Sequence, residues 1–325
     1  MRDSYLDSCK ATLIFLVVLG HFLERMIGWN DPIAHTVLGS IYFIHMPAFI
    51  LISGMLFKDK NWFKNIFFFL FLYVPFQILF PAFDAVWSGQ FQFKWNLFER
   101  PYWILWYLQG MIVWTVLTHF MIKTRFAVVI SLVLALYVGL SPCNNYQYSL
   151  GRIFTFLPFF VIGAVYGKVI LQKIQQFNFA SLFGGLVIIS IAIFVYFTQM
   201  NQFWLYGSLS YTQLKVNWWD GIWMRAGILL ISSLGIVAIF SLVKLFKNNF
   251  IQLGQNTLPV YLLHGFVVML IAWYLKLDFN IFIEIGICIL LSILTCWILQ
   301  QQIFDTLLRK LSLWLMKPLS YFGIK

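Results

Sequence analysis

The chain has 325 residues, of which 62% are hydrophobic and 10% are charged, and its mean hydropathy is +0.85. A soluble domain carries about 25% charged residues, so this composition excludes a soluble globular protein and indicates a polytopic membrane protein. The formal net charge of +11 does not indicate nucleic-acid binding, because the basic residues are scattered between apolar runs rather than gathered in one patch.

Ten apolar runs predict membrane-spanning helices, because about 20 apolar residues in a helix cross the hydrocarbon core. The fifth run is the shortest. The runs lie near 9–29, 38–57, 65–83, 103–121, 126–140, 152–168, 179–198, 222–243, 258–275 and 281–302. We therefore expect an all-α polytopic membrane protein with about ten transmembrane helices. Counts of nine or eleven are the alternatives, because the fifth run is short and the connection between the seventh and eighth runs is long. Residues 1–325 would form a single transmembrane domain, without a separate soluble domain.

The connections between the runs predict the orientation of the chain. One alternate set of connections, with both termini, holds fifteen Lys and Arg residues, and the other set holds seven. Cytoplasmic loops carry the excess of basic residues, so both termini are expected in the cytoplasm. The longest predicted outer segments, 84–102 and 198–221, are rich in Trp, Tyr, Gln and Asn. This composition suits contact with a sugar, and an aromatic belt at the membrane interface would give the same composition. The first run is expected to remain a helix rather than to be cleaved as a signal peptide, because no small-residue cleavage site follows it.

The first run carries a polar face. His21 follows Lys10 by eleven residues, which returns to nearly the same direction on a helix and separates them by about 16 Å along the axis. Asp7 and Glu24 fall on the same face, and Glu24 is three residues after His21, within reach of its ring. An ionisable group in hydrocarbon is costly and marks a functional site by default. A carboxylate beside a histidine orients the ring for general-base catalysis.

The second run contains His45, followed closely by Pro47. A proline inside an apolar helix removes a backbone hydrogen bond and tends to kink the helix, which suits the lining of a cavity. Ser53 and Gly54 in the same run are interpreted as a site of close helix packing rather than as a nucleophile, because no GxSxG elbow surrounds them.

Two later runs add further polar positions. Arg152 opens the sixth run, where it either extends to the interface or binds a substrate. His264 lies within the ninth run, whose start is predicted near Asn256 as a helix cap. Three intramembrane histidines also raise the possibility of zinc, but no HExxH or similar spacing exists and we predict no metal. The four cysteines form no CxxC pair, so we expect no disulfide and no zinc knuckle.

Five motifs taken together resemble the acyltransferase 3 family, most closely its fucose 4-O-acetylase-like branch. In chain order they are YLDSCKATLIFLVVLGH (5–21), FIHMPAFILISGMLF (43–57), WYL (106–108), RIFTFLPFFVIGA (152–164) and LGQNTLPVYLLHG (253–265). The resemblance extends over nearly the whole chain. It implies a ten-helix enzyme of the bacterial cytoplasmic membrane that moves an acyl group, usually acetyl, from acetyl-CoA to a hydroxyl of a cell-surface glycan, an exopolysaccharide or a lipid-linked precursor.

The resemblance also assigns roles to particular residues. Lys10 occupies the place that is usually arginine in the family, and with His264 it would bind the acyl-CoA donor. Lysine keeps the charge of arginine but lacks its bidentate geometry. The catalytic group would comprise His21, Glu24 and His45.

The same resemblance assigns Arg152, Trp106 and Tyr107 to the binding of the acceptor. The 11-residue spacing on the first helix suits an extended pantetheine arm that enters from the cytosol, with its phosphates near Lys10 and its thioester near His21. His21 would then deprotonate the acceptor hydroxyl for direct attack, or would carry the acyl group covalently in a relay.

Two other functions compete with an acyltransferase at this stage. A transporter or flippase for a lipid-linked sugar would have a similar number of helices, although few acidic residues lie within the spans and no inverted repeat is evident. A purely structural membrane subunit is the other alternative. The intramembrane pair of His21 and Glu24, together with His45, argues against it.

Overall fold

The computed structural model describes residues 3–88, 98–143, 145–246 and 250–317. Within these ranges the chain forms thirteen α-helices and no β-strand, as expected for an all-α membrane protein. The helices are α1 (Ser4–Met26), α2 (Pro32–Met55), α3 (Trp62–Ser88), α4 (Trp106–Met121), α5 (Ala127–Tyr137), α6 (Leu150–Gln176), α7 (Ala180–Thr198), α8 (Gln202–Tyr206), α9 (Trp218–Val243), α10 (Ile251–Gln255), α11 (Thr257–Tyr274), α12 (Ile281–Leu299) and α13 (Gln302–Met316).

Nine helical segments in the described part of the chain are long and apolar enough to cross a membrane. They coincide with nine of the ten predicted runs, and the fifth run forms the shorter apolar segment Ala127–Leu140. The all-α polytopic class is therefore confirmed. The cytoplasmic location of the termini stays a prediction, and part of its basis lies outside the described residues: Arg2, Lys94, Lys247, Lys325 and much of the predicted outer segment 84–102.

Two details near helix ends differ from the sequence-based expectations. The last predicted run ends earlier, at Leu299, and is followed by the separate amphipathic helix α13, which was not predicted. Asn256 stands at the cap position of α11, but its side chain donates to the carbonyl oxygen of Gln300 at 2.7 Å instead of capping the helix. Pro47 lies inside α2, and the kink expected there stays a prediction.

The described chain forms two compact units. The first unit comprises Met1–Phe49, Lys168–Leu205 and Gly227–Asp305. In it α1 packs against α10, α11 and α12. A Cβ atom on Gly254 would lie only 1.8 Å from the carbonyl oxygen of Asp7. The absence of a side chain at Gly254 therefore lets α10 rest directly on the backbone of α1.

The second unit comprises Ile50–Gly167, Tyr206–Ala226 and Thr306–Lys325. In it α3 packs against α4, and the last turns of α2 lie against α6. A Cβ atom on Gly54 would lie 2.0 Å from the carbonyl oxygen of Phe160, which confirms the prediction of close packing at Gly54. The expectation of a single transmembrane domain stays a prediction.

Candidate active site

One end of the polar face on α1 holds an ion pair. The charge bias predicts that this end lies nearer the cytoplasm. Lys10 Nζ lies 2.6 Å from Asp7 Oδ1, and the Asp7 side chain is only 3% exposed. Gln255 on α10 donates to the other carboxylate oxygen of Asp7 at 3.4 Å. A buried carboxylate is costly unless it is paired, so Lys10 compensates Asp7. The lysine has three N–H donors, which leaves it able to contact a further oxygen.

The other end of the same face holds three polar side chains from two helices. His21 Nδ1 lies 3.4 Å from Glu24 Oε2. The ring of His264 on α11 stacks on the ring of His21, with centroids 5.4 Å apart and planes inclined by 21°. The family resemblance assigned His264, together with Lys10, to binding of the acyl-CoA donor. In the structure His264 lies beside His21, and His21 is about 16 Å along α1 from Lys10.

Tyr42 on α2 connects this group with His45. Its hydroxyl donates to Glu24 Oε2 at 2.8 Å, and its ring meets the ring of His45 edge to face, with centroids 4.8 Å apart. The sequence did not single out Tyr42, because one more aromatic residue in an aromatic-rich span is an unremarkable pattern. Only the packing of α2 against α1 shows that its hydroxyl meets a carboxylate.

The hydrogen bonds fix the tautomers of the buried rings. His45 Nδ1 lies 2.7 Å from the carbonyl oxygen of Ile41, and His264 Nδ1 lies 2.9 Å from that of Val260. A carbonyl oxygen only accepts, so Nδ1 carries the proton in both rings and Nε2 carries the lone pair of the neutral form. The same reasoning applies to His21, whose Nδ1 faces the carboxylate.

The three histidines differ in how accessible they are. The side chain of His21 is 14% exposed, whereas His45 is 2% exposed and His264 is fully buried. His21 is thus the most exposed member of the cluster. Among the residues that the structure describes, no group of three metal-binding side chains has the geometry of a metal site.

The residues assigned to the acceptor lie in the second unit. Arg152 Cζ lies 5.3 Å from the ring centroid of Trp106 and 5.2 Å from that of Tyr206. Tyr107 does not join this group: its hydroxyl shares a 2.6 Å hydrogen bond with Ser53 Oγ in the interior. The structure therefore places Trp106 beside Arg152, and Tyr107 beside Ser53.

The second unit also contains a buried arginine that the sequence analysis did not single out. Arg225 is 1% exposed; it donates to the hydroxyl of Thr155 and, at 3.1 Å, to the carbonyl oxygen of Leu209. Its guanidinium also lies 5.3 Å from the ring of Tyr211. Burial raises the pKa of the Tyr211 hydroxyl, while Arg225 lowers it. The signal was present in the sequence as an arginine at the start of an apolar run.

A sequence model of the acyltransferase 3 family, described as an acyltransferase domain, matches residues 3–301, nearly the whole chain. The chain belongs to this family. It is therefore a multi-pass membrane acyltransferase, and the resemblance seen in the motifs is confirmed at the level of the family. The fucose 4-O-acetylase-like branch stays a prediction. No match was found among curated proteins or among solved structures.

Proposed function

We propose that this acyltransferase moves an acetyl group from cytosolic acetyl-CoA to a hydroxyl of a cell-surface glycan or of its lipid-linked precursor, in the bacterial cytoplasmic membrane. The observation that carries the proposal is the arrangement around His21. Its Nδ1 faces Glu24, so Nε2 would be the ring nitrogen that acts as the base, and its side chain is the most exposed of the three clustered histidines. This is the arrangement that proton abstraction from an alcohol requires.

The transfer step conserves atoms and charge. His21 Nε2 takes the proton of the acceptor hydroxyl while the hydroxyl oxygen attacks the carbonyl carbon of the thioester. A carbon–oxygen bond forms, the carbon–sulfur bond breaks, and the CoA thiolate leaves. The imidazolium of His21 then returns the proton to the thiolate, so that CoA–SH is released and His21 is neutral again.

The donor would lie along the polar face of α1. Lys10 offers a cation for the phosphates of CoA, and the axial distance of about 16 Å to His21 suits an extended pantetheine arm. His264, stacked on His21, would flank the thioester. The ion pair of Lys10 with Asp7 holds the lysine side chain in place on this face.

Glu24, Tyr42 and His45 would act as positioning residues. Glu24 holds the His21 ring in the tautomer that leaves Nε2 free of a proton, and Tyr42 holds Glu24. His45 is buried and contacts the ring of Tyr42 edge to face, so its role would be to fix that ring. The acceptor would be bound by Arg152 with Trp106, while Tyr107 would support the surrounding packing.

The proposal is tested with the purified full chain and radiolabelled acetyl-CoA, in the presence of a crude cell-surface glycan fraction. We expect CoA release and labelling of the glycan for the wild type, and a loss of about 100-fold or more for His21→Ala, because general-base catalysis contributes about 10² to 10⁴-fold. His119→Ala is the matched control. His119 lies in the second unit, paired with Asp59 at 2.6 Å and stacked on Trp62, so this variant should keep wild-type transfer.

Two results separate the alternatives. Full transfer by a folded His21→Ala protein would refute the assignment of the base. Acetyl label bound to the wild-type protein before any acceptor is added, and then passed to the glycan, would establish the covalent relay in place of direct attack.

A further inference from the structure

Two arginines in the second unit share a group of aromatic rings. Arg100 Cζ lies 3.7 Å from the ring centroid of Tyr146, and Arg152 Cζ lies 5.8 Å from the same ring. Arg152 also faces the rings of Trp106 and Tyr206. We call these five residues the arginine–aromatic cluster. It combines two cations with three flat apolar surfaces in one small region.

The positive charge of this cluster is not balanced by an acidic side chain. All eleven Asp and Glu residues lie within the described part of the chain, and none of them is within ion-pair distance of Arg100 or Arg152 there. Burial lowers the pKa of the Arg100 guanidinium, Tyr146 raises it, and the nearby positive charge of Arg152 lowers it. Two like charges held together without a counter-charge gain most from an anion that contacts both.

Hydrogen bonds hold the Arg100 side of the cluster in place. Gln77 is 1% exposed; its Nε2 donates to the carbonyl oxygen of Arg100 at 2.9 Å, and its Oε1 accepts from the backbone N–H of Tyr102 at 2.8 Å. The backbone N–H of Tyr148 donates to the carbonyl oxygen of Glu99 at 2.6 Å. The segment that carries Arg100 is therefore tied both to α3 and to the loop that carries Tyr146.

Close backbone packing holds the Arg152 side. A Cβ atom on Gly151 would lie 2.7 Å from the carbonyl oxygen of Gly207, so only a glycine lets this segment approach the first turn of α6. Gly207 itself has a φ of +62°, in the left-handed region that glycine tolerates. These two glycines bring Tyr206 against Arg152, and the site is formed before any ligand arrives.

We propose that the arginine–aromatic cluster binds an oxyanion of the acceptor, so that the acceptor is an acidic glycan or a sugar phosphate rather than a neutral sugar. The two guanidinium groups would bind the carboxylate or phosphate oxygens, and the sugar ring would lie beside the partly exposed rings of Tyr146 and Tyr206. The inference rests on the proposed function and names the acceptor class. Arg100, Tyr146 and Tyr206 are its new members.

The test is a binding measurement that needs no acetyl transfer. The full chain, in nanodiscs of uncharged lipid, is titrated with fluorescent trigalacturonate, with galactose 1-phosphate as a competitor and with neutral galactotriose. We expect binding of an anionic probe and at least tenfold weaker binding of galactotriose. Arg152→Gln and Arg100→Gln should each lower the affinity for the anionic probe by about tenfold or more. Lys276→Gln removes an exposed cation outside the cluster and should bind as the wild type does.

The two anionic probes distinguish the source of the oxyanion. Binding of trigalacturonate without competition by galactose 1-phosphate supports a uronate, and displacement of the probe by the sugar phosphate supports a phosphate. Equal affinity for the neutral and acidic oligosaccharides, or binding that Arg152→Gln and Arg100→Gln leave unchanged, would overturn the proposal. If Arg152→Gln does not fold, Arg152→Lys keeps the charge but loses the planar fork, and it should still weaken the anionic probe by several-fold.

Failure of this inference is distinguishable from failure of the proposed function. The binding measurement contains no acetyl-CoA, so its outcome does not depend on the transfer step. Acetyl transfer that depends on His21, combined with equal binding of neutral and acidic sugars, would refute only the acidic acceptor. Arginine-dependent binding without any His21-dependent use of acetyl-CoA would refute only the transfer mechanism.

Discussion

Replacing Tyr42 with phenylalanine isolates a single hydrogen bond in the candidate active site. The change removes the hydroxyl that donates to Glu24 Oε2 at 2.8 Å and keeps the ring whose edge contacts His45. Tyr42 is 8% exposed, so the phenylalanine ring fills the same volume. Glu24 keeps its place on α1 but loses one hydrogen-bond donor to its carboxylate beside His21.

The size of the effect depends on the contact that is lost. A hydrogen bond to a charged group contributes about 1.5–3 kcal/mol. The Glu24 side chain is 22% exposed, so solvent screening weakens this hydrogen bond below that range's upper end. We therefore expect a loss of about 1–2 kcal/mol of transition-state stabilisation, which is about a 5- to 30-fold lower kcat/KM. The contact between His21 and Glu24 is long, at 3.4 Å, so its alignment depends on the support that Tyr42 gives.

The assay is a double-mutant cycle with radiolabelled acetyl-CoA. It compares the wild type, Tyr42→Phe, Glu24→Gln and the double variant, with kcat/KM and thermal unfolding measured for each. If Tyr42 acts through Glu24, the double variant is no worse than Glu24→Gln alone, and the two effects are strongly non-additive. The unfolding temperature of Tyr42→Phe should stay close to that of the wild type.

Two results would refute this reasoning. Wild-type kcat/KM for Tyr42→Phe would show that the hydroxyl does not support the transfer step. Full additivity of the two substitutions would show that Tyr42 acts on the reaction by a route that does not include Glu24.

Two further predictions concern packing and orientation. Gly54→Ala should reduce the yield of folded protein and its unfolding temperature, because overpacking of this kind costs about 1–3 kcal/mol, whereas Gly185→Ala, where a Cβ atom meets nothing within 4 Å, should not. Equal unfolding temperatures would contradict the packing. A membrane-impermeant maleimide added to intact cells should label the exposed Cys143 and leave the buried Cys9 unlabelled until denaturation. Labelling of Cys143 only after the membrane is opened would reverse the predicted orientation.

The helices were predictable because length and apolar composition are local properties. The ninth run, 258–275, differs by one residue at each end from α11 (Thr257–Tyr274). The apolar residues of the amphipathic helix α13 are interrupted by Arg309 and Lys310. This helix was missed because a search for continuous apolar runs does not detect such a pattern. Hydropathy thus identifies membrane-spanning helices more readily than an amphipathic helix such as α13.

The candidate site was predictable only where its contacts are local. The spacing of His21 and Glu24 within one helix indicated their proximity. The stacking of His264 on His21 and the bond of Tyr42 to Glu24 depend on how α11 and α2 pack against α1, and no local pattern encodes that packing. The same limit applies to Arg100, which reaches Tyr146 through loops tied by long-range hydrogen bonds.

The two ends of the polar face on α1 are built for different tasks. Asp7 is almost fully buried, with Lys10 at 2.6 Å and Gln255 at 3.4 Å, and Gly254 brings α10 onto its backbone. Removing Lys10 would leave this carboxylate uncompensated and would destabilise the fold, so the lysine has a structural role whether or not it contacts a phosphate. Arginine at this position would preserve the charge for Asp7 and add a planar fork toward a ligand. Because His21 Nδ1 faces Glu24, the proposed reaction would use Nε2 of the same ring. Asp7 thus anchors one end of the face, and His21 would supply the reactive group at the other.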